Sequence, residues 1–388
     1  MATGKAFNQT EMKRHNRYAV LSALRDKGPF SRICLTRMLG LDGTTITSLV
    51  RELIDEGLVI SIGYEQTKGR PKQLLQLNGI SREAVGIDVS PNHVLGVAVD
   101  LTGNVKATKK LTLQNSTSQK VILNKIRQVG QALLKEIPPG QRLGVGLAHH
   151  GVVNAHSGEV LQAAHLLHWK GVKLHEYISN AFAVPYSTDD TSRCKARAEF
   201  HFGAARNINN FLFIELSVGI GAVVFTDGRP QRGSSNSAGE LGHCVVIKSG
   251  PQCWCGMRGC LETVASIHAI EKKYDSLTRS KHTTAYSEIA RLTREGNSAA
   301  IDIITEAGRY VGMAISSLVN VLNPGNVVLC GELLEAGEVI RAAIIESMRD
   351  HTIRTSYEAM QIVEGKLGSD SAAIGAATML LDRVFGSD

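Results

Sequence analysis

Apolar residues recur at helical spacing over the first sixty positions and at strand spacing beyond them. Val20, Leu21 and Leu24 predict a helix over residues 17–27, which Gly28-Pro29 ends. Ser31 is placed to cap a second, short helix running through Met38 and Leu39, and Gly40-Leu41-Asp42-Gly43 supplies a turn of helix-turn-helix length. A third helix follows, with Ile46, Leu49, Val50, Leu53 and Ile54 on its apolar face and Thr44, Thr45, Thr47, Ser48 and Arg51 largely on the other, until Gly57 stops it. Residues 58–62 and 73–77 read as two strands joined by a loop containing Lys68-Gly69-Arg70-Pro71-Lys72. Helix-turn-helix plus hairpin is a winged helix.

Beyond Asn78 the texture changes to short β-rich runs separated by glycine, at 85–89, 93–100, 143–147, 211–216, 221–225 and 327–330. They alternate with helical stretches at 118–134 and 307–322, which predicts an α/β body. The domain division expected is 1–80 and 81–388. No exact short repeat is visible, although the two strand-rich halves of the body suit two related lobes.

Charge sharpens this division. Residues 1–80 hold twelve Lys/Arg against seven Asp/Glu, so +5 of the formal +7 sits in the first fifth of the chain. Short hydroxyl side chains with one Arg are what a helix seated in the major groove presents to phosphates and base edges. Lys68, Arg70 and Lys72 of the wing suit the minor groove, where narrow A·T tracts attract Arg. The alternative is a protein-interaction module with an ordinary solvated wing. The polar N-terminus lacks a signal-peptide stretch, and no run approaches the ~18 apolar residues of a membrane span. A cytoplasmic protein without membrane insertion is expected.

The densest chemistry is His243 followed by Cys253, Cys255 and Cys260, a spacing of H-x9-C-x-C-x4-C. Three thiolates and one imidazole close a tetrahedral Zn2+ site with no position left for water, so the zinc expected here is structural. Free buried or disulfide-bonded cysteines are the alternative. Trp254, Gly256 and Gly259 suit a tight knuckle, and the metal would fix the backbone carrying Glu240 and Glu262, two carboxylates suited to sugar hydroxyls. Cys34, Cys194, Cys244 and Cys330 are scattered; an odd total without a paired framework suits a reducing compartment.

Together, Gly86-Ile87-Asp88-Val89, Ala238-Gly239-Glu240-Leu241-Gly242-His243, the cysteine box ending in Cys260-Leu261-Glu262, and Ile374-Gly375-Ala376-Ala377 resemble the ROK family of repressors, open reading frames and sugar kinases. The winged helix matches its repressor branch. The resemblance implies an actin-like, ribonuclease-H-like body of two lobes with a sugar in the cleft, its hydroxyls held by Glu240, His243 and Glu262. Aligning Pro185, Glu199 and Phe202-Gly203 with the family sets Asp190 at the Asn, and Thr191 at the Asp, of an Asn-Asp pair whose Asp is the kinase base; a one-residue shift returns Asp190 to that role. Asp190 is retained as a sugar ligand. His149-His150, where the family has a Pro-Gly turn, and His165 with His168 are read as pocket or loop residues in preference to a second metal.

The departures from the kinase pattern point away from catalysis. A phosphate cradle needs glycines that let backbone N–H groups approach the nucleotide. After Asp88 the chain reads Val89-Ser90-Pro91-Asn92-His93 where related kinases have Gly-Gly-Thr, and Pro91 removes a donor. The second loop, Leu216-Ser217-Val218-Gly219-Ile220-Gly221, lacks the Gly-Thr before Gly-Ile-Gly, Cys330-Gly331-Glu332 replaces a glycine-rich turn, and a threonine is no general base near neutral pH. The function expected is therefore a DNA-binding transcriptional regulator, a repressor of carbohydrate-metabolism genes, acting as a homodimer or higher homo-oligomer on a palindromic operator and controlled by a sugar or sugar derivative. The rivals are an ATP-dependent sugar kinase with an appended DNA-binding domain and a repressor controlled by a sugar-transport protein.

Overall fold

The computed structural model describes residues 9–66, 71–114, 117–154, 157–163, 169–280 and 282–386. The chain divides into two compact units, 1–194 with 372–388 and 195–371.

The first unit opens with α1 (Gln9–Lys27), β1 (Phe30–Ser31), α2 (Arg32–Leu39), α3 (Gly43–Asp55), β2 (Val59–Glu65) and β3 (Lys72–Leu77). Ser31 caps α2 by accepting from the Cys34 N–H, Gly40 ends it in the left-handed region, and Asp42 caps α3. Val20, Leu21, Leu24, Leu35, Ile46, Leu49, Val50 and Leu53 are buried together with Leu75 and Leu77, which is the core that the periodicity predicts. Three features differ from expectation. First, α1 begins eight residues before 17. Its polar start carries no apolar period and is held by ion pairs to α3 and the residue that caps its end, Lys13 Nζ–Glu52 Oε1 at 2.8 Å and Arg17 Nη2–Glu56 Oε2 at 2.5 Å. Second, β1 adds an edge to the hairpin, in the order β1-β3-β2. Third, β2 runs on to Glu65, which pairs with Lys72, so Lys72 is a half-buried strand residue and not part of the wing tip. Lys68 and Arg70 lie outside the described residues.

The body of this unit comprises β4 (Glu83–Val89), β5 (His93–Asp100), β6 (Val105–Thr112), α4 (Gln119–Glu136), β7 (Arg142–His149), β8 (Val152–Val153), β9 (Val160–Gln162), α5 (Leu174–Ala181), β10 (Tyr186–Asp190) and the start of α6 (Thr191–Phe202). Its sheet has the order β10-β7-β4-β5-β6, with β4-β5-β6 antiparallel and β7 and β10 parallel to β4. One side of it buries Val85, Ile87 and Val89 against Ile122, Ile126 and Val129 of α4 and Ile178 of α5.

The second unit follows with β11 (Phe211–Leu216), β12 (Ile220–Thr226), β13 (Arg229–Pro230), α7 (Glu262–Ala265), α8 (Ile267–Thr278), α9 (Tyr286–Arg294), α10 (Ser298–Leu322), β14 (Asn326–Cys330), α11 (Glu338–His351), α12 (Arg354–Ala359) and β15 (Gln361–Glu364). Its sheet order, β13-β12-β11-β14-β15, has the same sequence of antiparallel and parallel neighbours as the first. Two sheets with one connectivity are the two related lobes of a ribonuclease-H-like body. The core lies between this sheet and α8, α10 and α11, around Leu212, Ile214, Ile304, Ile315 and Ile344.

The chain ends in α13 (Ser371–Phe385), which returns to the first unit. Here the glycines of two sequence motifs find their cause. A Cβ on Gly86 of β4 would stand 1.8 Å from the Ala373 carbonyl oxygen, one on Gly146 of β7 would stand 1.8 Å from that of Ala376, and one on Gly375 would stand 1.7 Å from that of Cys194. Only glycine permits backbone against backbone at these points. The last turn of α13 meets α1, with the Arg25 guanidinium 4.3 Å from the centroid of the Phe385 ring and 3.9 Å from buried Asp382. Among the described residues no helix is long and apolar enough to cross a membrane.

Candidate functional site

The Cys253 N–H donates to the Met257 carbonyl, 2.8 Å away, and that of Gly256 donates to the Cys253 carbonyl at 3.1 Å, folding the Cys-Trp-Cys-Gly run into a knuckle with Gly256 at φ 96°. Gly259, at φ 75°, sits where a Cβ would be 1.8 Å from the Ile247 carbonyl oxygen. This geometry gathers His243, Cys253, Cys255 and Cys260 so that their ligand atoms all lie within 4.8 Å of one another. The Cys253 Sγ is 3.6 Å from His243 Nδ1, and the Cys255 and Cys260 sulfurs are 3.7 Å apart. A tetrahedron with Zn–S bonds of ~2.3 Å has edges of about 3.8 Å, so the four donors fit a zinc ion. Burial, and then the neighbouring Cys255 and Cys253 thiols, push the Cys260 thiol up to about 12. A dication at the centre would let the three sulfurs lose their protons together.

His243 is expected in two roles, and its two ring nitrogens separate them. Nδ1 faces the sulfurs, while Nε2 stands 3.9 Å from Glu240 Oε2. A metal-ligating His commonly has its second nitrogen oriented by a carboxylate. Glu262 belongs to the same assembly: its Oε1 accepts the Trp254 indole N–H at 2.6 Å and its Oε2 the Ile220 N–H at 3.4 Å. The Trp254 ring lies edge-on to His243, with centroids 4.7 Å apart. Trp254 is the residue that sequence reasoning undervalues. Spacing makes it knuckle filler, yet it ties the cysteine box to Glu262, and the signal is a large aromatic between two cysteines, a place that packing alone gives no reason to fill.

Asp190 belongs to the other unit. It ends β10, beside His149 of β7, and its Oδ1 accepts the N–H groups of Ser192 at 2.8 Å and Arg193 at 3.3 Å, capping α6. Asp189, next to it, takes the buried Arg193 Nε at 2.6 Å. His149 is buried, which pushes its imidazole down to about 4 against the upward pull of Asp190 and Asp189. Thr191, at the position aligned with the kinase base, is 4% exposed, and its hydroxyl has no hydrogen-bond partner. The loop after β4 is a tight turn in which Ser90 N–H donates to the His93 carbonyl at 2.9 Å. Ser90 Oγ donates to Asp88 Oδ2 at 2.7 Å, and His93 Nε2 stands 3.7 Å from the same oxygen. His165 and His168 lie outside the described residues.

On α3, Thr44, Thr47, Ser48 and Arg51 are exposed and Thr45 is half-buried. The hydroxyls are engaged locally first. Thr44 Oγ1 donates to Asp42 Oδ1, Thr45 donates to Asp42 through N–H at 2.8 Å and Oγ1 at 2.5 Å, and Thr47 Oγ1 donates to the Gly43 carbonyl at 2.7 Å. The bonds from Thr44 and Thr45 hold the Asp42 carboxyl well below the usual range. The outward face of α3 is therefore a preorganised row of hydroxyl oxygens ending in Arg51.

Similarity to known proteins runs the length of the chain. It is 27% identical over 382 residues to the xylose repressor of Bacillus subtilis (strain 168), covering 97% of each chain. It is 26% identical over 382 residues to the DNA-binding transcriptional dual regulator NagC of Escherichia coli (strain K12), covering 95% of this chain and 93% of the other. A crystal structure of a ROK family transcriptional regulator, homologous to the E. coli MLC protein, matches with a TM-score of 0.82 at 26% identity over 97% of each chain. The ROK hexokinase of Thermus thermophilus matches with a TM-score of 0.66 at 26% identity, over 76% of this chain and 96% of its own. Residues 84–383 match the family model itself, and with the two like sheets and the knuckle of one histidine and three cysteines in place, the chain belongs to the ROK family.

Proposed function

We propose that this protein is a transcriptional repressor of carbohydrate-metabolism genes that binds a palindromic DNA operator as a homodimer and responds to a sugar or sugar derivative. In this reading residues 1–80 are the DNA-binding domain and 81–388 the sugar-binding and oligomerisation body. Thr44, Thr45, Thr47, Ser48 and Arg51 face the major groove, and Lys68 and Arg70 reach the minor groove. Asp190, Glu240, His243 and Glu262 hold the effector, and zinc on His243, Cys253, Cys255 and Cys260 fixes the backbone that carries three of them. The single observation carrying the reading is the winged helix, with its row of hydroxyls and Arg51, preceding a body of the family to which both named regulators are similar along nearly their whole length.

What supports a binding protein over a kinase is the state of the phosphate loop. Ser90 and His93 close on Asp88, and Pro91 removes a backbone donor; the family alignment adds Thr191 at the base position, unless a one-residue shift returns Asp190 to it. Control works by linkage: an effector that favours one arrangement of the dimer lowers DNA affinity by its differential affinity for the two arrangements. Gel shifts on an operator enriched from random DNA, with and without candidate sugars, test the regulator. Titration calorimetry with Mg-ATP tests the rival, and phosphorylation of any sugar would make the protein a kinase.

A further inference from the structure

α4 and α5 meet on the first sheet, where Ile122, Ile126 and Val129 of one helix and Leu174 and Ile178 of the other are buried in a single core. Above that core the two helices leave an open groove of about 350 Å³. Leu123, Val172 and the ring of Tyr177 give it an apolar lining, and Arg127, Lys173 and Asn180 bring hydrogen-bond donors to it. Apolar walls with a few convergent polar groups are the make-up of a small-molecule site, and the volume is at the small end of that class. None of the effector residues proposed above lines this groove.

The cations here are weakly engaged. Arg127 is exposed, donates to the neutral Asn124 side chain at 3.3 Å, and makes no ion pair among the described residues. Lys173 Nζ stands 3.7 Å from Glu176 Oε2, with the two side chains 69% and 65% exposed, and such a pair is worth little in water. The Tyr177 hydroxyl already donates to the Leu123 carbonyl, so Tyr177 offers a ligand its ring. Burial pushes the Tyr177 phenol up and the Arg127 guanidinium draws it back, which shows that the Arg127 charge is felt at the ring.

The surrounding chain adds to this charge. Residues 105–181 hold ten Lys/Arg against three Asp/Glu, a surplus of seven, while the basic excess of residues 1–80 is offset by acidic residues elsewhere. A concave surface within a field of one sign concentrates ligands of the other. A guanidinium presents its N–H groups as a planar fork that matches the two oxygens of a carboxylate or phosphate.

We propose that the groove between α4 and α5 binds a small organic anion, with its carboxylate or phosphate on Arg127 and Lys173 and its apolar body against Leu123, Val172 and Tyr177. Glu176 is the one carboxylate among the lining residues, and it opposes such a ligand. The site is a second one, apart from the effector residues, and does not depend on what they hold.

Calorimetry on the full-length protein tests this with four probes that separate charge from body. Benzoate and phenyl phosphate carry both, inorganic phosphate carries the charge alone, and benzyl alcohol the body alone. At least one of the first two should bind at least ~10-fold more tightly than either inorganic phosphate or benzyl alcohol. Arg127→Gln, at an exposed position, should weaken that binding at least ~10-fold while the melting temperature of the unliganded protein stays that of wild type. Glu176→Gln should tighten it about twofold or more. Benzyl alcohol binding as tightly as both organic anions, anion binding that Arg127→Gln leaves unchanged, or no binding of either organic anion up to ~10 mM would each overturn the proposal.

Discussion

At the scale of single residues, His243 shows how one side chain serves two neighbours. Its Nδ1 lies among the sulfurs and its Nε2 toward Glu240, so loss of the metal should be felt at the carboxylates. Cys255→Ser leaves three donors where a closed tetrahedral site needs four. It should yield well under one zinc per chain by elemental analysis and a melting temperature about 5–10 °C lower. Full zinc occupancy in that variant would remove Cys255 from the ligand set. His149 makes a second prediction through linkage. Its folded value of about 4 lies below the ordinary 6.5 because burial penalises the charged ring. Between those two values the unfolded chain binds the extra proton, so stability rises with pH across this window and is lost as pH falls through it. The full effect is about 3 kcal/mol. Denaturant unfolding from pH 4 to 7 should show this slope, and His149→Gln should flatten it; an unchanged slope would assign the acid lability elsewhere.

At the scale of elements, α13 is positioned by what its neighbours lack. Gly86 and Gly146 let its backbone press onto β4 and β7, the strands that end at Asp88 and His149, and its last turn holds Arg25 of α1. Gly146→Ala drives a Cβ to 1.8 Å from the Ala376 carbonyl oxygen, and neither backbone has room to yield. It should cost at least about 3 kcal/mol or prevent folding. Gly140→Ala meets nothing within 4 Å and should leave stability within about 0.5 kcal/mol of wild type. Equal melting temperatures for the two variants would mean that the helix is not seated through glycine.

At the scale of the whole molecule, the prediction concerns independence of sites. Arg51 is exposed on α3 and the carboxylates proposed to hold the effector lie in the body, so Arg51→Ala should cost ~1–3 kcal/mol of operator affinity and relax sequence preference, yet leave the sugar-induced thermal shift unaltered. Gel shifts at fixed salt on operator and scrambled DNA measure the first, and calorimetry measures the second. Wild-type operator affinity would move the DNA-contacting surface off this face of α3.

Local patterns determined most of what was legible in advance. Apolar spacing marked the buried face of α3, cap and turn chemistry at Ser31, Gly40 and Asp42 set the helix-turn-helix, and ligand spacing picked out the four side chains that the knuckle gathers, because each of these is written within a few residues of chain. The start of α1 was not visible, since it is held by Lys13 and Arg17 reaching Glu52 and Glu56, nearly forty residues away. The alternation of β6 (Val105–Thr112) was faint because most of its residues are exposed at the sheet edge. Only tertiary structure decided which glycines were obligatory, which nitrogen of His243 faces the cysteine sulfurs, and that Trp254 holds Glu262. Those facts depend on atoms brought together across the fold, and local spacing carries no record of them.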